Sequence, residues 1–478
     1  MCVGSSTSRP IDVKRSVRQG GVLSGFLYLV FINDLLNSLE ASGHGACVGS
    51  SKCGNPTLAD DITLVATSPC ALQNLLDIVY AYATRFKFEI SIEKSCCMAF
   101  CHRRLHLPLQ VHLGNTILKK AESATHLGIV LTNDMKVHER VKARCQKGKQ
   151  SFHSLLGYGV HPTCLNPLTS TSLYRKITMP SILYGSELWN GLSVTDVEHI
   201  NRCQHYIVKA IQGFHKYTRS DMCESMLGLP PLVGQTVQRK LMFLHKILSL
   251  SAGTTCKDIF VRRYLHFISP HINSVRMKGF VPDICRILTT YNLCHIINDY
   301  FCSNSLPSKA QWKREISNAI GEREERLWLT RVDIDPDFSL FKHIQNAISP
   351  SVIWQYPATR SQLSLAHFVA KVITEKSIRR DCLCHICGCV YTNRTIHILS
   401  ECYRAQPSRN RLIDNIDSKY RAMTSVPVST MNSKDFACFV LGNVSDKLNS
   451  VDHSTELMDI LFRYVKLAFT IYNGHMYI

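Results

Sequence analysis

Two groups of residues in this 478-residue chain have types and spacing that chemistry can use. The first is Asp60-Asp61, with Leu58-Ala59 before it and Ile62-Thr63-Leu64-Val65 after it. Carboxylate oxygens are what a hard cation such as Mg²⁺ prefers. Taken alone, the pair reads first as an ordinary turn, because Asp favours turns. The second group is Cys384, Cys387, His397 and Cys402, spaced C-x2-C-x9-H-x4-C. Thiolates and an imidazole match the tetrahedral preference of Zn²⁺, and the compact spacing favours a structural zinc segment over incidental cysteines. Cys382, His385 and Cys389 stand close enough to serve as substitute ligands.

The elements that must position these groups are readable in outline. Residues 56–66 read as a hairpin with its tight turn at Asp60 and Asp61, the second strand being rich in β-branched residues. Residues 22–39 read as a helix, with Leu23, Leu27, Val30, Asp34 and Leu35 at helical steps. A second helix is expected over 72–86 after the Ser68-Pro69 punctuation, and a strand over 95–100. Beyond about 136 the pattern turns helical, over 137–156 (with Lys and Arg gathered on one side), 166–188, 195–212 and 234–251. Residues 252–310 are less regular, 308–329 read as a charged helix and 456–472 as an amphipathic one.

Composition narrows the function classes. Hydrophobic residues make up 45% and charged residues 19%, the balance of a globular chain rather than a disordered one. The formal net charge of +19 favours a polyanionic partner, above all nucleic acid. The first ten residues carry no apolar signal core, so the 21 cysteines are expected to be reduced and the protein intracellular, nuclear or cytoplasmic. The longest apolar run, 22–32, is broken by Ser24 and Gly25 and is too short to span a bilayer.

Four elements then occur in order. They are Val17-Arg18-Gln19-Gly20-Gly21 leading into Ile32-Asn33-Asp34-Leu35-Leu36; Leu58-Ala59-Asp60-Asp61-Ile62; Ile92-Glu93-Lys94-Ser95; and His126-Leu127-Gly128-Ile129. This succession closely resembles the reverse transcriptases of LINE-type, non-LTR retroelements, over roughly residues 10 to 250 and again at the Cys/His segment. The resemblance implies RNA-directed DNA synthesis, a nucleotidyl transfer supported by Mg²⁺ (or Mn²⁺), with RNA template and DNA primer as partners. It makes Asp60 a direct metal ligand with Asp61 beside it. It places Arg18, Gln19 and Gly20 near the incoming nucleotide and template, and Lys94 near the triphosphate.

The sequence also departs from that family. Gly25 stands where Pro is usual, and Leu58 where an aromatic residue is usual. The family's other palm strand, with a further metal-binding Asp, lies some tens of residues before the glycine segment, whereas 17 residues precede Arg18 here. The expectation is an N-terminally truncated polymerase, without fingers or endonuclease, whose isolated chain has negligible activity. The second reading is a non-catalytic nucleic-acid-binding remnant.

Downstream, the resemblance implies a thumb in which Lys136, Arg140, Lys142, Arg144 and Lys147, with Lys149, touch the nucleic-acid backbone largely without regard to sequence. Tyr184 and Trp189 are expected in the core rather than as stacking platforms. The fold class expected is α+β. A partial palm, an antiparallel sheet with helices, spans 1–135, then come a helical thumb-like region (136–255), a helical connector (256–375), the Cys/His zinc segment (376–410) and a helical end (411–478).

Overall fold

The structure, a computed structural model, describes residues 2–3, 6–7, 9, 21–100, 110–269, 277–375, 382–420, 426–444 and 454–473. The chain forms two compact units, one of residues 1–136 with 247–277 and one of residues 137–246 with 278–478. Helices and short two-stranded ladders together make it an α+β protein. No helix among the described residues is long and apolar enough to cross a membrane. No described cysteine is in a disulfide.

The first unit is built around two helices. Helix α1 (Ser24–Ala41) buries Ile32, Leu35 and Leu39, a stripe at steps of three and four. Its opening turns leave Leu23, Leu27 and Val30 exposed. The ladders follow as β1 (Cys47–Val48), β2 (Ser51–Lys52), β3 (Thr57–Leu58) and β4 (Asp61–Ile62). Helix α2 (Pro69–Phe86) starts where the Ser68 hydroxyl accepts the Ala71 N–H at 3.2 Å, with Pro69 in the first turn. Its Leu75 and Val79 close on Ile32, Leu35 and Leu39, while Leu76 packs with Cys97, Val111, Leu113 and Leu118 on the strands that follow.

Those strands are β5 (Cys96–Cys97), β6 (His112–Leu113), β7 (Thr116–Ile117), β8 (Lys119–Lys120), β9 (Ser123–His126) and β10 (Ile129–Thr132). The expected continuous antiparallel sheet is not what the described residues form. They form separate two-stranded ladders, and β5 pairs with β8 in parallel. Strands of two to four residues, interrupted by turns, leave too few free edges in line to extend a sheet. Helix Thr255–Ile268 belongs to the same unit, where the Arg262 guanidinium donates to the Ser50 hydroxyl at 2.6 Å. The stretch 252–310, irregular in sequence, carries helices Thr255–Ile268, Phe280–Thr290 and Cys294–Ser303.

The second unit is mainly helical. It opens with α3 (His138–Gly157), α4 (Pro167–Leu173), α5 (Met179–Leu183), α6 (Val194–Gln212), α7 (Ser220–Met226) and α8 (Leu232–Leu248). The single helix expected over 166–188 is broken. Pro180 has no N–H to give, and the chain widens into a π turn at Tyr174–Thr178 before α5 ends at an extended Tyr184, followed by Gly185 at φ 74°. One large core joins α3 and α6 to the segments after 328, and it takes in Phe152, Trp189, Ile207, Trp328, Trp354 and Phe462. Trp189 is buried as expected, but Tyr184 is 47% exposed. Two buried polar contacts fix indole rings in place: Trp354 donates to Gln212 Oε1 and Trp312 to the Leu241 carbonyl, each at 3.0 Å.

Two local devices set the position of α3. Gly148 faces α5 so closely that a Cβ there would lie 2.1 Å from Ile182 Cγ1. Asp196, 4% exposed at the start of α6, accepts from the Ser193 N–H and hydroxyl and lies 2.8 Å from His138 Nδ1 at the start of α3. Burial works against ionisation of Asp196, but the hydrogen bonds from Ser193 and His138 outweigh it and hold the carboxyl below its ordinary value.

Gly148→Ala is expected to destabilise the protein by about 1–3 kcal/mol through overpacking, measured by denaturant unfolding. Asp196→Ala is expected to cost about 1 kcal/mol at pH 7 through loss of the cap. Because the folded carboxyl titrates below the unfolded one, the Asp196 contribution is complete above the unfolded value near pH 4. It is lost as pH falls through the folded value, so the difference between wild type and variant should shrink in acid.

Candidate active-site hairpin, basic helix and metal cluster

The Asp-Asp pair sits at a hairpin tip, one residue out of the expected register. β3 pairs with β4 so that Leu58 faces Asp61, and the turn is Ala59-Asp60. Ala59 takes a left-handed φ of 53°, a conformation that costs a residue with a Cβ roughly 1 kcal/mol. Asp60 and Asp61 are both exposed. The hairpin is anchored below its tip, where Thr63 Oγ1 lies 3.3 Å from His126 Nε2 on β9. It is also near α1, for burial raises the Tyr28 phenol above its ordinary value and the Asp60 carboxylate adds to the effect.

The other residues of the four elements are placed less closely. Arg18, Gln19 and Gly20 lie outside the described residues. Lys94 is exposed on the turn 92–94 that leads into β5, a turn closed by the Ser95 N–H on the Ile92 carbonyl at 3.1 Å. No hydrogen bond or ion pair among the described residues joins Lys94 to Asp60 or Asp61. The Leu-Gly element is a turn rather than a strand: Leu127 (φ 50°) and Gly128 (φ 73°) link His126 to Ile129, and two positive φ angles are what a two-residue hairpin link needs. Among the described residues the two aspartates belong to no set of three or more metal-ligating side chains.

The basic residues of α3 divide into two rows. Val141, Cys145, Gly148 and Phe152 form the buried stripe. Arg140, Arg144 and Lys147 follow one edge of it at steps of four and three; Lys142 and Lys149 follow the other. Each row meets an exposed tyrosine. The Arg144 guanidinium lies 4.4 Å from the Tyr184 ring centre, and the Lys149 ammonium 5.6 Å from that of Tyr206. Burial lowers the Arg140 guanidinium from its ordinary value, and its Nε is buried with no hydrogen-bond partner. Lys136 precedes the helix and pairs with Asp134 at 2.9 Å, an ion pair that lowers the Asp134 carboxyl to about 2.

The Cys/His residues converge. The ligand atoms of Cys384, Cys387, His397 and Cys402 all lie within 4.8 Å of one another. A short ladder, Cys382–Leu383 with Val390–Tyr391, leads into a turn where the Gly388 N–H donates to the Cys384 carbonyl at 2.8 Å and Gly388 sits at φ 71°. Burial opposes ionisation of the Cys384 thiol, but the Cys387 and Ile386 N–H groups overcome it and lower the thiol to about 6. His397 presents Nε2 to the sulfurs, 3.4 Å from Cys387 Sγ. Its Nδ1 faces Glu401 Oε2 at 3.4 Å, and the Tyr391 ring stacks on it at 5.0 Å. Sequence reasoning missed Glu401 and Tyr391; the i to i+4 spacing of His397 and Glu401 inside the segment was the available signal. Cys389 is exposed and outside the four-donor set, its thiol 3.8 Å from the Cys387 carbonyl. The donor set and its convergence fit a tetrahedral divalent metal.

The chain is also similar to known proteins. Residues 2–131 match the family described as reverse transcriptase (RNA-dependent DNA polymerase). Over 243 residues the chain is 26% identical to a probable RNA-directed DNA polymerase from transposon BS of Drosophila melanogaster, covering 48% of this chain and 25% of that protein. Over 255 residues it is 21% identical to the RNA-directed DNA polymerase from mobile element jockey of Drosophila funebris, covering 52% of this chain and 27% of the relative. A jockey polymerase of Drosophila melanogaster is 23% identical over 236 residues. The chain spans about a quarter of the length of these relatives. The resemblance to non-LTR retroelement reverse transcriptases is borne out by these matches.

Proposed function

We propose that this chain is part of the RNA-directed DNA polymerase of a non-LTR retroelement, with a partial palm in the first unit and a template–primer grip in the second. The observation that carries the reading is the exposed Asp60-Asp61 tip inside the stretch matched to reverse transcriptases. Two exposed carboxylates side by side suit Mg²⁺ or Mn²⁺, which in such a site activates the attacking oxygen and offsets charge on the leaving phosphates. In this reading Asp60 is the direct ligand and Asp61 supports it, while Lys94 offsets negative charge on the triphosphate. Arg18, Gln19 and Gly20 approach the nucleotide and template. Arg140, Lys142, Arg144 and Lys147 hold backbone phosphates along the two edges of α3, and Lys136, tied to Asp134, contributes least.

A two-metal centre needs more carboxylates than Asp60 and Asp61, and the described residues add none beside them. We therefore expect negligible polymerase activity from this chain alone. That expectation is what keeps the non-catalytic nucleic-acid-binding reading alive as the second one. Primer extension on an RNA template with a DNA primer, in Mg²⁺ or Mn²⁺, is the test. Negligible incorporation with salt-sensitive template–primer binding that Asp60→Asn leaves intact is the expected result. Robust synthesis that disappears in Asp60→Asn would overturn the expectation of impairment. Failure to bind template–primer at low salt would sink both readings.

The Cys384, Cys387, His397 and Cys402 cluster is proposed as a structural zinc site. The reading is supported by four convergent donors, three of which (Cys384, His397 and Cys402) are 1% exposed. Glu401 would accept the Nδ1 proton and fix the imidazole with Nε2 toward the metal. About one equivalent of zinc per chain is expected in purified protein, and Cys402→Ser should lower both zinc content and thermal stability. Less than about half an equivalent in wild type would count against the site.

A further inference from the structure

The second unit holds a cleft that the readings above leave unused. It lies where α6, the loop after it, α7 and the long helix Lys309–Ile334 meet. His205 and Lys209 come from α6, Lys216 and Arg219 from the loop, Glu224 from α7 and Arg331 from the long helix.

The charges in this cleft are not equivalent. The Arg219 guanidinium is taken up by acids, donating to Asp221 at 3.0 Å and Asp335 at 2.5 Å and lying 3.6 Å from Asp337. Lys209 donates to the Lys216 carbonyl at 2.9 Å, and the Lys216 ammonium sits 4.9 Å from the Tyr217 ring centre. Neither contact cancels a charge. Among the described residues no carboxylate lies within ion-pair distance of Lys209, Lys216 or Arg331. Three positive groups therefore line a cleft open to solvent.

Of its two acidic members, Asp221 is paired with Arg219, and Glu224 does not oppose the cations. Glu224 is 8% exposed, and its carboxyl lies 3.4 Å from His205 Nε2. Burial, helped by Asp221, raises the Glu224 carboxyl to about 8, and burial with Lys209 pushes His205 down to about 4. Both shifts act in the direction of an uncharged acid against an uncharged imidazole. A protonated carboxyl can donate a hydrogen bond to an anion, whereas a carboxylate could only repel it.

We propose that this cleft binds a phosphate group, held by Lys209, Lys216 and Arg331, with Glu224 in its wall. The neighbouring surface favours a nucleic-acid strand as its source over a free phosphate or mononucleotide. His205, Tyr206 and Lys209 share one edge of α6, and Tyr206 is 43% exposed between the Lys149 ammonium and His153, whose Nε2 lies 3.2 Å from the Tyr206 hydroxyl. A strand along α6 would meet α3 cations on one side, an aromatic face in the middle and the cleft on the other. The inference rests on the nucleic-acid-binding reading given above.

The test uses the full chain and two probes, a fluorescent single-stranded oligonucleotide read by anisotropy and inorganic phosphate read by calorimetry. Arg331→Glu is compared with Lys466→Glu, an exposed site on helix Ser454–Asn473 with the same change in net charge. Lys216→Glu, on the exposed loop, is the second cleft variant should Arg331→Glu fold poorly. Either cleft variant is expected to weaken oligonucleotide binding about tenfold, and the control less than about threefold. Raising the pH from 7 to 8.5 should weaken wild type several-fold and leave Glu224→Gln unchanged. Glu224 faces His205 and Lys209 of α6, Asp221 of its own helix, and Glu324 and Arg331 of the long helix. Phosphate binding lost in the cleft variants would assign a free phosphate or mononucleotide; loss of oligonucleotide binding without measurable phosphate binding would assign the strand. Equal losses in cleft and control variants on both probes overturn the inference and leave the nucleic-acid reading standing. A wild-type chain that binds neither probe overturns both.

Discussion

The second unit depends on one buried charge. Lys240 is 2% exposed on α8, and burial lowers its ammonium from its ordinary value. The ammonium is held by the Asp283 carboxylate and by the Trp189 carbonyl, to which it donates at 2.5 Å. Asp283 also accepts the Gly191 N–H at 3.1 Å. Removing one partner of such a pair costs about 3–5 kcal/mol, because the other charge is left buried alone. That constraint ties α8, the turn after Trp189 and the helix Phe280–Thr290 into one body. Trp189 belongs to the core that also holds α3 and α6, which carry the basic edges and the cleft, so the buried pair braces one side of that core.

The hairpin in the first unit obeys a different constraint. Its tip is exposed and makes few contacts of its own; its position comes from below, through Thr63 and His126, and from the side, through Tyr28. The left-handed Ala59 lifts both carboxylates to the end of a two-residue ladder. Little packing energy is spent on the aspartates themselves. Exposed carboxylates are well solvated, so the pair stands at the tip at little cost to the fold.

What the sequence disclosed follows the range of the interactions involved. The Asp60-Asp61 hairpin and the Cys384 to Cys402 cluster are local, so spacing alone put the right residues together. The turn register was missed by one residue because Asp is as much at home in a turn as beside one, and only the pairing of Leu58 with Asp61 decides it. The α3 cations were read as one side of a helix; the buried stripe through Gly148 runs between them, and a glycine gives no hydrophobic signal. Tyr184 was expected in the core with Trp189, whereas the extended backbone at Tyr184 and the left-handed Gly185 after it leave its ring exposed beside Arg144. The cleft was illegible for a stronger reason. His205, Glu224 and Arg331 come from three helices, and the protonation of Glu224 depends on burial that no local pattern encodes.

The Cys/His cluster is best understood from what surrounds it. Four convergent donors would fill a tetrahedral site and leave no open position, as in sites that hold structure rather than perform chemistry. Its scaffold belongs to the core of the second unit. Ile398 and Leu399 lie between His397 and Cys402 and are buried with Phe439 and Phe462. The Tyr464 hydroxyl donates to the Leu399 carbonyl at 2.5 Å, and Arg394 reaches Asn473 at 3.2 Å while stacking over Tyr472. The helix Ser454–Asn473 is thus held by the segment the cluster shapes. Thiols crowded within 4.8 Å repel one another once ionised, and a divalent cation removes that repulsion. A change at the cluster would therefore be felt first in the packing of this helix, and only through that packing in anything the unit binds.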